Sequence, residues 1–219
     1  MTVYYAVGDI HGYFSLLKPL YDKIQDDIRI NNVDNYKIIF IGDYIDRGPD
    51  SKSVLDFLMS LDPEKHVFLM GNHEDLCLHQ EKWQTWLFNG GFETCASFNL
   101  PEGEYNLPPD YIAWMKNLRL FYETDDFFFV HAGVEPGYSL DENKTNPSML
   151  LWVRDYFLNS DYDWGKYIIH GHTPVMRPEV KHNRMNVDTG AFYYGTLTCG
   201  VLEMVDGTRC TRLIQQEEF

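Results

Sequence analysis

Five short apolar runs in this chain each stop at a small residue beside Asp, Asn or His. VGDIHG brings Asp9 and His11, IGDYIDRG brings Asp43, Asp46 and Arg47, and MGNHED brings Asn72 and His73. VHAG and HGHTP add His131 and His172. Pooled, Asp9, His11, Asp43, Asn72, His131 and His172 offer imidazoles, carboxylates and an amide oxygen. That mixture suits Mn, Fe or Zn better than Mg or Ca alone. Six donors with one shared carboxylate suit two divalent ions about 3.5–4 Å apart, the spacing for in-line displacement at phosphorus. Water held by such an ion loses its proton near neutrality and becomes a strong nucleophile. A guanidinium such as Arg47 matches phosphate oxygens through forked bonds that a lysine holds less well.

Each residue alone has a plainer reading. Asp9 could cap the following helix, and Asp43 and Asp46 could be solvated turn residues. Asn72 fits a turn, His73 a packing position, and His131 and His172 polar strand ends. All of these would have to hold at once, and the repeated pattern argues against that.

The elements that carry these residues follow from periodicity. The segment 3–7 reads as a buried strand, and Leu17, Leu20, Tyr21, Ile24 and Ile28 recur at helical spacing. Pro19 sits early in that helix, which should start late or bend there. The segment 37–41 is a second strand, with a helix after it marked by Val54, Phe57, Leu58 and Leu61 and capped by Asp50 or Ser51. HVFLM (66–70) is a third. Strands alternating with helices through short connections predict parallel pairing in an α/β fold. In such sheets the carboxyl ends of the strands converge on the ligand crevice.

Helical signals fill the region 76–117, broken by a turn at Asn89-Gly90-Gly91. FFFV (127–130) and YIIH (167–170) read as strands and MLLWVRDYFL (149–158) as one helix. Trp83, Trp86, Trp114 and Trp152 read as core residues. His66, His79 and His182 are assigned to surface or packing, and His170 to orienting its metal-ligand neighbour. The C-terminal segment alternates around Asp206-Gly207, a hairpin signal.

A chain of 219 residues with 44% hydrophobic content can bury one substantial core, so a single domain over 1–219 is expected. The formal charge of −15 argues against nucleic acid as a partner, because backbone phosphates need a basic surface. A phosphate substrate would need a local reversal of that field. No apolar run reaches membrane-spanning length. MTVYYAVGD enters strand-like sequence at once, which leaves no signal peptide. Cys77, Cys95, Cys199 and Cys210 form no C-x-x-C and read as reduced thiols of a cytoplasmic protein.

GDIHG, GDYIDRG, GNHE, HAG and HGHT, in that order from Gly8 to Thr173, resemble the motifs of the phosphoprotein phosphatase (PPP) family of metal-dependent serine/threonine phosphatases. The likeness is to its compact bacterial and phage branch, that of lambda phosphatase. The resemblance implies two mixed β-sheets packed as a sandwich and flanked by helices, the metallophosphoesterase fold. It implies that Asp9, His11 and Asp43 hold one ion and that Asp43, Asn72, His131 and His172 hold the other, with Asp43 bridging. Manganese is the expected metal, with Fe or Zn as alternatives. It further implies that Arg47 and Arg154 grip phosphate and that His73 is the general acid, oriented by Asp46. Arg154 rests on a looser match, LLWVRDYF, and Tyr193 in AFYYG is placed at the pocket border. The expected function is hydrolysis of phosphoserine and phosphothreonine, with phosphotyrosine as a further candidate, in phosphoprotein or phosphopeptide substrates, by a monomer.

Other phosphatase and phosphodiesterase classes fit less well. Cysteine phosphatases need Arg six positions after Cys, where this chain has Trp83, Pro101, Val205 and Gln216. Metal-dependent nucleases and cyclic-nucleotide phosphodiesterases usually carry GHxH, whereas this chain has GHTP with Pro174. The alternative is a symmetrical dinucleoside tetraphosphate hydrolase. Those relatives typically show Ala at the place of Asp46 and GNHD where this sequence has GNHE. A metal-binding adaptor without turnover would be expected to have lost Asp46, Arg47 or His73.

Overall fold

Alternation along the strands assigns their two faces. A computed structural model describes residues 2–218. In the first sheet, β1 (Val3–Val7), β2 (Tyr36–Phe40) and β3 (His66–Phe68) pair in parallel, as their short helical crossovers require. The second sheet holds β4 (Phe121–Glu123), β5 (Phe127–Val130), β6 (Tyr167–His170), β7 (Glu179–Val180) and β8 (Arg184–Asn186), with β5, β6 and β8 parallel. β9 (Thr196–Val205) and β10 (Thr208–Glu217) form the C-terminal hairpin. Its turn is Asp206-Gly207, both in the left-handed region that such a turn needs. β9 lies antiparallel beside β1, so the order is β10-β9-β1-β2-β3 in one sheet and β4-β5-β6-β8-β7 in the other.

Successive residues point to opposite faces of a strand. Ala6, Ile39 and Val67 of the first sheet therefore meet Phe127, Phe129, Ile169 and Met185 of the second in one apolar layer. Tyr5, Val7, Ile38 and Phe40 face the other way, onto Leu16, Leu20 and Ile24 of α1 (Phe14–Ile30) and Val54, Leu55 and Leu58 of α2 (Ser51–Met59). Phe128, Val130 and Ile168 cover the outer face of the second sheet with Leu150, Val153 and Phe157. Two mixed sheets face each other, with helices outside.

Four local readings are corrected. α1 runs through Pro19 from Phe14 rather than starting after it; five residues precede Pro19 in the helix. Neither Asp50 nor Ser51 caps α2 with its side chain, because the Ser51 hydroxyl instead accepts the Asp46 N–H at 3.1 Å. The segment 149–158 is two short helices. Val153 is extended and Arg154 adopts φ −132°, ψ −95°, which turns the chain between Trp152 and Asp155. Gly90, at φ 111°, kinks a continuing helical path at Leu87–Gly91 instead of ending it.

Candidate metal centre

The five motifs meet at the carboxyl ends of β1, β2, β3, β5 and β6. His11, Asp43, Asp46, Arg47 and His172 all have positive φ, five of the eight non-glycine residues that do among those described. Such backbone is costly for residues with a Cβ and persists only where its surroundings enforce it. The enforcement is visible at Glu74, in α3 (Asn72–Leu78). Its buried carboxylate accepts N–H groups of Asp43, Tyr44, Ile45 and Gly71 at 2.8–3.3 Å, gathering the loops after β2 and β3. A Cβ at Gly71 would lie 2.1 Å from Asp43 Oδ1, so the loops approach this closely only through glycine.

Asp43 is the centre. Its Oδ2 lies 3.5 Å from His11 Nε2 and 3.5 Å from His131 Nε2. Candidate ligand atoms of His11, Asp43 and His73 lie within 4.8 Å of one another, and so do those of Asp43, His131 and His172. Asn72 Oδ1 sits 2.9 Å from His131 Nε2 and 2.8 Å from His172 Nδ1. Asp9 reaches across from β1, with Oδ2 accepting the His172 N–H at 2.9 Å. The structure thus brings together all six expected metal residues, with His73 within reach of the first group.

The donor chemistry fits cations. His131 Nδ1 faces the Ile41 carbonyl at 3.1 Å and so carries the proton. Its Nε2 then turns a lone pair toward Asn72 Oδ1, two acceptors side by side that a shared cation would satisfy. Asp9 Oδ1 and His172 Nε2 are buried without a hydrogen-bond partner. Burial, then the nearby His73, keeps His11 well below its ordinary pKa; burial lowers His131; burial and His131 bring His172 to about 2. Each of these shifts favours the neutral imidazole, the form that ligates. Burial alone would raise Asp43, but any proton on the surrounding rings, His131 first and then His73 and His11, draws its carboxyl below the usual range.

Beside this cage, His73 Nδ1 meets Asp46 Oδ2 at 2.7 Å, and Asp46 is held by the Trp86 indole N–H at 3.0 Å and the Thr94 hydroxyl at 2.7 Å. Burial raises the pKa of Asp46. It also opposes charge on His73, but Asp43 and the bond to Asp46 outweigh it and raise that ring. Both shifts retain a proton on the pair. Arg47 Nη1 lies 3.1 Å from His11 Nε2, and its N–H is tied to the Gly90 carbonyl at 3.3 Å. Arg154 stands exposed at the break between the two short helices, near enough to help lower His131 and His172 after burial has done so.

The calcineurin-like phosphoesterase model matches residues 3–188 of the chain. The chain belongs to the calcineurin-like phosphoesterase family. As a calcineurin-like phosphoesterase it is a metal-dependent hydrolase by kinship, with the ligand groups above as candidates for divalent ions. A relative from Anoxybacillus flavithermus, bis(5'-nucleosyl)-tetraphosphatase PrpE [asymmetrical], is 28% identical, covering 90% of this chain and 89% of its own. The solved structure of a putative diadenosine tetraphosphatase superposes with a TM-score of 0.62 at 19% identity, covering 96% of this chain and 93% of that one. A cold-active protein tyrosine phosphatase gives 0.65 at 21%, covering 95% and 78%. At such identities the two structures speak for the calcineurin-like phosphoesterase fold alone.

Several site features lay outside the sequence reading. Asp188 follows β8 as a buried carboxylate whose pKa burial and Asp43 raise to about 7. It repeats the strand-then-carboxylate pattern, a signal present in NVDTG but not used. Trp86 and Thr94 had no such signal. Trp152, read as core, is 40% exposed with its ring 6.0 Å from that of His172, because the break at Val153 turns it outward. His170 does not orient His172. It faces the Gly171 carbonyl at 3.1 Å and Arg184 Nη1 at 3.0 Å, away from the cage. Tyr193 lines a cleft beside Arg47, with its ring centroid 5.8 Å from Arg47 Cζ.

Proposed function

We propose that this protein hydrolyses a phosphoanhydride bond of dinucleoside tetraphosphates, of the asymmetrical type, with manganese as the working metal. The observation that carries the reading is the end-to-end match to relatives of that printed name, at 28% identity over 87–90% of both chains. Asp46 and Glu74 speak against the symmetrical hydrolases, which typically show Ala and Asp at those places. Three buried thiols, Cys77, Cys95 and Cys199, and exposed Cys210 are all free, which supports a reducing cytoplasmic setting.

Asp9, His11 and Asp43 would hold one ion, and Asp43, Asn72, His131 and His172 the other. Bound there, the pair supplies a nucleophile ionised near neutrality and neutralises phosphoryl charge. The chain's own residues do the rest. Arg47, its main chain fixed by Gly90, holds phosphoryl oxygens from the His11 side, and Arg154 does so from the His131 and His172 side. Forked guanidinium bonds strengthen as charge builds on those oxygens. His73 keeps its proton through Asp46 and can hydrogen-bond the leaving phosphate oxygen from Nε2.

A second reading, phosphoserine and phosphothreonine hydrolysis, is favoured by that buried pair. A serine alkoxide needs a proton to leave, whereas a nucleotide leaves as a stable phosphate anion. A substrate panel separates the two. The manganese-loaded protein should cleave diadenosine tetraphosphate to ATP and AMP with a higher kcat/KM than phosphoserine and phosphothreonine peptides. The reverse ranking would establish the phosphatase instead.

A further inference from the structure

Arg47 stands at the junction of two environments. One side faces His11 and the metal cage, and the other opens into a cleft of about 390 Å³. The cleft is lined by two segments far apart in sequence, the kinked helical path around Gly90 and the short helix Ala191–Tyr194. Both bring aromatic rings to it. Phe88 and Phe92 pair edge-to-face at 6.4 Å, and Phe192 and Tyr193 pair at 5.0 Å. All four are exposed, Phe88 at 85% and Tyr193 at 58%. Water gains nothing from such rings, and a cluster of them beside a phosphate-binding cation marks a ligand surface.

We propose that this cleft is a nucleobase shelf, which takes the base of one nucleoside while Arg47 takes its phosphate. The inference rests on the dinucleotide reading and adds where the base lies. The Arg47 guanidinium carbon sits 5.8 Å from both the Phe192 and Tyr193 ring centroids, so phosphate and base sites share one anchor. Flat rings offer π faces to any base. Glu93 lines the same cleft and can accept an exocyclic amine, which favours adenine and cytosine over uracil. The overall charge of −15 gives the cleft no general attraction for nucleotides, so the preference must come from stacking.

Equilibrium dialysis of AMP and ribose 5-phosphate against the manganese-loaded protein tests this, because the two ligands differ only by the base. Base stacking on an aromatic side chain should make AMP bind roughly tenfold tighter or more. Phe88→Ala and Phe192→Ala should each shrink that ratio, and Phe192→Tyr should preserve it. Because Phe88 is almost fully exposed, its removal leaves the core intact. Equal affinities in the unaltered protein, as an aromatic peptide occupant would leave them, overturn the shelf. So does a ratio unmoved in both alanine variants. If the AMP advantage holds while diadenosine tetraphosphate is not cleaved, the shelf stands and the proposed reaction falls.

Discussion

His73 Nδ1 and Asp46 Oδ2 lie 2.7 Å apart, and neither side chain is reached by solvent. The pair keeps a proton in a position to serve a leaving group, so its worth depends on what leaves. General acid catalysis typically contributes about 10²–10⁴ in rate. His73→Asn should cost roughly that factor on a phosphoserine peptide. On p-nitrophenyl phosphate, whose anion leaves unaided, the loss should be markedly smaller. Asp46→Asn should show the same bias more mildly, and the double change should be less than additive. Equal losses on both substrates, with metal content unchanged, would give His73 another role.

Metal removal provides the second prediction. Chelation should abolish p-nitrophenyl phosphate hydrolysis and Mn²⁺ should restore it. Asp43→Asn should be the most damaging ligand change, because its Oδ2 lies between His11 and His131. Ion binding to the folded state alone should also raise the melting temperature, by mass action worth about 2.7 kcal/mol at a hundredfold excess over Kd. Full activity in a sample shown to be metal-free would exclude the two-ion centre.

Arg47 and Gly90 form the third. Arg47→Ala should lower kcat/KM by about 10²–10³, the cost of losing a preorganised donor to developing charge. Metal content should stay near that of the parent. Gly90→Ala should lower kcat/KM in the same direction without touching a charge, since its Cβ would lie 2.5 Å from the Arg47 nitrogen at φ 111°. Normal kinetics in Gly90→Ala would show that the kink does not hold the arginine.

The fourth concerns pH and lies away from the cage. His66 is buried at the start of β3, with its ring bonded to the Tyr21 hydroxyl at 3.0 Å and the Asp62 carbonyl at 2.7 Å. Burial lowers its pKa below the ordinary value of about 6.5. The unfolded chain therefore binds the proton more readily. The stability contribution is complete above that value and is lost as pH falls toward the folded pKa. His66→Gln should flatten the decline in denaturant midpoint of the metal-free protein between pH 7.5 and 5.5. An unchanged slope would assign that decline to other groups.

The legible part of this protein was what repeats. Each of Asp9, Asp43, Asn72, His131 and His172 follows a short buried strand, so local sequence alone marked them, while the two-sheet fold that assembles them came from the family resemblance. What was not legible depends on where distant segments land. The side chains of Trp86 and Thr94 hold Asp46 across 40 and 48 residues, a relation with no local spacing to betray it. The segment 149–158 has uninterrupted helical periodicity, yet it breaks at Val153, placing Arg154 and Trp152 toward the site. Apolar periodicity describes burial, and here exposure was the functional property.

The bond from the His172 N–H to Asp9 joins residues 163 positions apart. During synthesis, the amino-terminal metal residues must wait for nearly four-fifths of the chain before their last partners exist. On the proposed ligand assignment, an ion captured early by Asp9, His11 and Asp43 would sit in an open, exchangeable site, and two ions would be held only after the second sheet docks. Contacts of such sequence separation form slowly. Tight metal retention in a nascent or refolding chain would then be a clock for the late docking of the two sheets.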